Sequence, residues 1–169
     1  MVLFVWLGGQ KMSVHLEEIT KETLYIALEM INSNLDYNLV ENGQPQRELA
    51  DIEEDFLNPD TISVFIKLDD TYIGVMDYLM ENPKDQCPWL GLLMIHSDYQ
   101  GFGFGAHAYA LYESEMRNRG LQRVRLGVIK ENVRAKQFWE SLGFNYIKTA
   151  LSENGKGIFV YEKNLPKEV

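Results

Sequence analysis

The sequence predicts one α+β (mixed α/β) domain: a central, mixed but mostly antiparallel sheet with helices on both faces. Three observations carry that expectation. Residues 61–68 alternate apolar with polar side chains, Asp69-Asp70 supplies a turn, and residues 71–80 return as a second strand, the pattern of an antiparallel hairpin. Residues 89–95 lead through a glycine-rich loop into a helical pattern and then into the alternating run 124–128, a βαβ unit whose two strands run parallel. A last helical pattern is followed by a hairpin around Glu153-Asn154-Gly155-Lys156-Gly157.

In chain order, residues 14–19 alternate roughly and read as a first strand, and Thr20 suits a helix N-cap. Leu24, Ala27, Leu28, Ile31 and Leu35 recur at helical spacing and predict one apolar face. Residues 32–45, rich in Asn, Asp, Gly and Pro, read as a loop, and residues 47–57 as a short acidic helix on Leu49, Ile52 and Phe56, stopped by Asn58-Pro59-Asp60. Asn82-Pro83 through Pro88 breaks the pattern before Trp89 enters the next strand. After the loop, Ala108, Tyr109, Leu111, Tyr112 and Met116 pattern a helix ended by Arg117, Arg119 and Gly120. Ala135, Phe138, Trp139 and Leu142 line the last helix, which Gly143 closes.

A chain of 169 residues with 46% hydrophobic and 24% charged side chains is one globular domain of ordinary size. The net charge of −9 argues against nucleic acid or an anionic membrane as a main partner and favours cationic, amine-bearing ligands. Cys87 is the only cysteine, so no internal disulfide forms, and a reducing, cytoplasmic setting is the default. His15, His96 and His107 lack ligand spacing, and no metal is expected. The apolar run in residues 1–12 is shorter than a membrane span and has no basic segment before it. These residues are read as an N-terminal extension with no assigned role, ahead of a domain over residues 13–169.

The chemistry concentrates in the glycine loop. Leu92 to Ile95 are continuously apolar and too few for a helix, so a buried strand is expected there. Gly101, Gly103 and Gly105 then stand at every second position before Ala106 opens a helical pattern. Glycine permits positive φ and close approach of a ligand to the backbone, and unpaired N–H groups at a helix N-terminus attract anions. A phosphate or pyrophosphate suits such a cradle; a bare strand-to-helix turn is the plainer reading. Gly101-x-Gly103-x-x-Ala106 also fits the loose dinucleotide fingerprint. That fingerprint belongs on the first strand of a doubly wound domain, whereas about 90 residues precede it here.

The order of elements adds a second layer. Gln100-Gly101-Phe102-Gly103-Phe104-Gly105 follows the fourth predicted strand, and Asn132, Ala135, Trp139, Gly143 and Phe144 are spaced along the last helix and its end. In this the chain resembles the GNAT superfamily of N-acetyltransferases, the acyl-CoA N-acyltransferase fold. The resemblance implies acetyl-CoA as co-substrate, with its pyrophosphate held by the amides around Gln100, Gly101, Phe102, Gly103, Phe104, Gly105 and Ala106. It implies that the fourth and fifth predicted strands splay, so that the pantetheine arm pairs with Leu93, Met94 and Ile95. A backbone N–H of Met94 or Ile95 would then polarise the thioester carbonyl. Asn132 would bond the cofactor arm, cap the last helix, or do both.

The implied reaction is direct attack of a neutral primary amine, on a small molecule or a peptide, upon the thioester. Many members place a tyrosine, taken as general acid, where this chain has Trp139, whose indole N–H cannot serve. Trp139 is therefore expected to pack or to line the pocket. Asp77, Glu81 and His96 are the base candidates, beside a water chain to backbone carbonyls. Tyr37, Glu41, Tyr72, Tyr78 and Trp89 are candidates to shape an amine pocket, and Arg134 and Lys136 to reach the phosphates. The family leaves room for a homodimer through the C-terminal strands. The alternative, on the strength of Trp139, is a degenerate acyl-CoA-binding sensor or interaction module.

Overall fold

The computed structural model describes residues 1–167. Strands β1 (Val2–Leu7) and β2 (Gln10–Glu18) precede three short helices, α1 (Leu24–Asn32), α2 (Leu35–Asn42) and α3 (Leu49–Phe56). Then come β3 (Ile62–Leu68), β4 (Thr71–Leu79), β5 (Trp89–Ile95), α4 (Phe104–Asn118), β6 (Arg123–Ile129), α5 (Val133–Ser141), β7 (Asn145–Leu151) and β8 (Gly157–Asn164). The eight strands form one sheet in the order β1-β2-β3-β4-β5-β6-β8-β7, antiparallel everywhere except between β5 and β6.

Two apolar clusters sandwich this sheet. On one face Leu24, Ala27, Met30 and Ile31 of α1 and Ile52 and Phe56 of α3 pack with Phe65, Val75 and Met94 from the sheet. On the other, Ala108, Tyr109, Tyr112 and Met116 of α4 and Trp139 of α5 pack with Ile66, Met76, Leu126 and Tyr161. The strands expected over 61–68 and 71–80 thus divide their side chains between two buried faces: Phe65 and Val75 point one way, Ile66 and Met76 the other.

Two parts of the chain fold differently from the sequence expectation. Residues 2–7, set aside as part of an extension, form edge strand β1, paired with β2 from Val2↔His15 to Leu7↔Gln10. Gly8 and Gly9 make the two-residue turn, both at positive φ (55° and 81°), and Val5 is buried in the core. Residues 35–42, read as loop, form α2, which Gly43 closes in the left-handed region at φ 75°.

Candidate active site

The sheet opens between its two parallel strands. β5 pairs with β4 from Trp89 to Ile95, but with β6 only at Trp89↔Arg125. That one junction is heavily tied: Arg125 N donates to Pro88 O (3.0 Å), its guanidinium to Glu162 (2.7 Å) and Asp85 (3.0 Å), and Trp89 Nε1 to Asp85 (2.8 Å). Beyond it the strands diverge around a cavity of about 810 Å³, lined by residues 90–95 of β5 and 126–129 of β6 and by parts of α2 and α5.

Register decides which backbone groups face this slot. His96 N donates to Ile73 O (2.8 Å), which makes 73/96 a hydrogen-bonded pair. Alternation then makes Val75↔Met94 hydrogen-bonded and leaves Gly74↔Ile95 and Met76↔Leu93 unbonded. The N–H and C=O of Leu93 and Ile95 therefore point away from β4, into the opening. The N–H of Met94 is turned into the β4 ladder, whereas that of Ile95 faces the opening. The carbonyl of Ile95 is bound on that side by Asn34 Nδ2 (3.1 Å) and Gln100 Nε2 (2.9 Å).

At the wide end lies the glycine loop. Gly101 and Gly103 sit at φ 86° and 83°, and Gly103 is the N-cap of α4. A Cβ added to Gly101 would meet nothing within 4 Å, and one on Gly103 only His107 Cε1 at 3.9 Å. The loop therefore presents bare backbone, and the first N–H groups of a fifteen-residue helix, with no partners inside it, add to the anion-binding character. The side chain of Gln100 is occupied within the protein, donating also to Asn34 Oδ1 (2.6 Å), so only its backbone is available to a ligand. Asn132 caps α5, its Oδ1 accepting from Ala135 N (3.0 Å), while it lines the cavity.

A side cavity of about 310 Å³ meets the main one at Tyr37, Glu41, Gly91 and Leu92. Glu41 reaches both, whereas Asp77 lines only the side cavity. Asp77 stands against the bulge in β5, where Leu92 pairs with Asp77 and Leu90 with Tyr78, leaving Gly91 extra. Burial raises the pKa of Asp77 above the ordinary carboxylate range; bonds from Ser63 and Thr61 offset part of the rise and Asp55 adds to it. Burial also raises Glu41, against the opposing pull of Lys156 and the Tyr37 hydroxyl. Lys156, from the β7–β8 turn, crosses to α2 and donates to the carbonyls of Val40 and Glu41, tying the hairpin to that helix.

A sequence model of the Acetyltransferase (GNAT) family matches residues 27–144. The chain belongs to the GNAT acetyltransferase family. No curated protein matches it by sequence. Among solved structures it is similar to an acetyltransferase from Thermus thermophilus, at 24% identity and a TM-score of 0.77 over 90% of this chain and 97% of that one. The ribosomal-protein-S18-alanine N-acetyltransferase of Escherichia coli aligns at 13% identity and a TM-score of 0.68, over 92% and 96%. The spermidine N-acetyltransferase of Vibrio cholerae, in complex with CoA and spermine, aligns at 17% and 0.66, over 89% and 95%. At these identities the likenesses speak for the fold.

Within this GNAT domain the remaining candidates separate clearly. Glu81 is exposed and lines neither cavity. His96 also lies outside both; its Nδ1 accepts from Asp98 N (3.1 Å) and caps the short turn Ser97–Tyr99. Of the five residues considered for an amine pocket only Tyr37 and Glu41 line one. Tyr72 bonds Glu17 (2.7 Å), Tyr78 packs on Tyr112, and Trp89 belongs to the Arg125 junction. Trp139 is 8% exposed, set edge-on to Tyr109, Phe138 and Phe144, and forms part of the cavity wall. Arg134 lines the cavity and Lys136 does not. Sequence reasoning missed Ser33, Asn34, Asn38 and Lys156. The first three lie in or beside the polar segment read as loop, where short polar side chains that bind backbone groups were the available signal.

Proposed function

We propose that the protein transfers an acyl group, acetyl first among them, from acyl-CoA to a primary amine in a ternary complex. The observation that carries this reading is the free edge of β5, with Leu93 and Ile95 facing a cavity of about 810 Å³ whose wide end lies beside the bare amides of the glycine loop. The residues fit coenzyme A: open Cβ positions at Gly101 and Gly103 suit a pyrophosphate, and the N–H and C=O of Leu93 with the N–H of Ile95, on the free edge of β5, suit an amide-bearing arm. Acetyl-CoA when bound supplies the thioester, whose C–S bond breaks as the amine's N–C bond forms, the electron pair leaving on sulfur.

The chain's own residues do the rest. The N–H of Ile95 faces the slot and donates to the carbonyl oxygen as negative charge develops there. Glu41, at the junction of the two cavities, takes the proton from the attacking amine at its carboxylate. Its raised pKa narrows the gap to an alkylammonium. Asp77, confined to the side cavity, binds rather than abstracts. Trp139 packs and shapes the wall, and the thiolate leaves without a side-chain acid.

Thiol release from acetyl-CoA against a panel of polyamines, aminoglycosides, amino acids and short peptides tests the reaction. Glu41→Gln should lower kcat about a hundredfold or more. It should also remove the acidic limb of the rate profile, which in the wild type lies above the ordinary carboxylate range because the folded pKa is raised. Wild-type kcat with the limb intact would assign the base elsewhere. A melting shift with coenzyme A and no thiol release across the panel would favour the binding module.

A further inference from the structure

The side cavity holds an acceptor group with nothing to accept. Asn38 on α2 is 1% exposed and lines this cavity. Its amide nitrogen is fixed by donation to Ile31 O (3.0 Å) and Pro45 O (3.0 Å), so the opposite end of the amide is fixed too. That end, Oδ1, is buried and has no hydrogen-bond partner among the described residues. A buried amide oxygen without a donor is destabilising, so a ligand donor at this point gains an interaction that the protein alone lacks.

The rest of the lining has the same polarity. Glu41, Asp55 and Asp77 bring three carboxylates to the cavity against one guanidinium, that of Arg47. Arg47 is already engaged, with Asp55 at 2.9 Å and Asp51 at 4.0 Å. Burial holds both Asp77 and Glu41 above the ordinary carboxylate range; Lys156 opposes the rise at Glu41, whereas at Asp77 the opposition comes only from the Ser63 and Thr61 hydroxyls. The unmet demand is for a cation with several N–H donors, which an alkylammonium supplies and a neutral group does not.

Position relative to the slot sets the length of the ligand. Leu92 borders the side cavity and Ile95 lies three residues along β5, about 10 Å away at the usual rise of an extended strand. We propose that the side cavity is a subsite for the second, non-reacting ammonium of a linear diamine acceptor, held by Asn38 Oδ1 and the Asp77 carboxylate while the first amine reaches the slot. This rests on the acyl-transfer reading above and adds the acceptor class to it. An extended heptane chain with an ammonium at each end covers that distance; a monoamine fills only one of the two places.

The test compares 1,7-diaminoheptane with n-heptylamine, the same carbon chain without the second amine, at saturating acetyl-CoA. The expected result is a kcat/KM at least tenfold higher for the diamine, carried mainly by KM, with that ratio falling toward one in Asp77→Asn. Melting curves with each amine alone read the subsite without turnover: the diamine shifts the wild type, n-heptylamine does not, and Asp77→Asn loses the shift. Equal kcat/KM for the two amines in the wild type overturns the subsite and leaves acyl transfer standing. An equal loss for both amines in Asp77→Asn overturns it as well, because Asp77 then acts on the reacting amine. A diamine shift without thiol release upholds the subsite and overturns acyl transfer, and neither shift nor release overturns both.

Discussion

Gly103 serves the fold and, in the proposed reading, the ligand by the same property. At φ 83° it turns the chain from loop into α4, and the space where a Cβ would stand is open. Valine there must adopt a left-handed backbone, at a cost of about 1–2 kcal/mol, with two methyls directed into the cradle. Because only His107 Cε1 lies near, at 3.9 Å, the protein itself accommodates the side chain. Gly103→Val should therefore still fold, with Tm lower by roughly 2–8 °C for a domain of this size. It should lose the melting shift that coenzyme A gives the wild type. Retention of that shift within a few-fold in apparent Kd would show that the anion is held elsewhere. Ile95 is the complementary case, a residue whose side chain is buried core while register aims its backbone N–H away from β4, toward the slot where the proposed reaction needs a donor.

At the scale of elements, the opening depends on how β5 and β6 are closed at one end. The Trp89↔Arg125 junction is their one ladder contact, and Arg125 ties it to Asp85 and to Glu162 of β8, with side chains 15–19% exposed. Arg125→Met should cost about 3 kcal/mol, since it leaves two partly buried carboxylates without their cation. Burial pushes Asp85 up, but bonds from the Cys87 N–H, Trp89 and Arg125 outweigh it and hold the group below its ordinary value. Its stabilisation is therefore complete above the unfolded pKa near 3.9 and is lost as pH falls through the folded one. Denaturant titrations should show the gap between wild type and variant closing over that acidic range; a gap independent of pH would place the effect in packing alone. These elements also show what was legible. The run β5, loop and α4 could be read because its determinants are consecutive: a short apolar strand, spaced glycines, a helical pattern. Helix α2 could not, since Leu35 and Leu39 are 46% and 52% exposed and give no core-facing stripe. It is held instead by the Asn38 amide and by Lys156, more than a hundred residues on. For β1 the signal was present, an apolar run before Gly8-Gly9 and a mixed, roughly alternating one after it, but an edge strand with Phe4 and Trp6 exposed resembles an unstructured apolar tail until its partner is known. Neighbourhood in sequence misled for His96, which adjoins the slot strand yet turns its ring to a local cap.

On the scale of the whole molecule, the proposed reaction asks one field to serve two ligands of opposite sign. The net charge of −9 attracts an ammonium at long range and repels the phosphates of coenzyme A. The acidic side cavity adds to the first effect, whereas the second must be overcome within a few ångströms by the amides of the glycine loop and the N-terminus of α4. Long-range terms are screened by salt and short-range ones much less, the Debye length falling from ~30 Å at 0.01 M to ~8 Å at 0.15 M. Raising ionic strength over that range should therefore lower kcat/KM for a cationic amine while leaving kcat/KM for acetyl-CoA unchanged or higher. Stopped-time assays that vary one substrate at saturation of the other, with salt as the second variable, separate the two slopes. Slopes of the same sign for both substrates would mean that local charges at the cavity mouth, rather than the net field of the domain, govern the encounter.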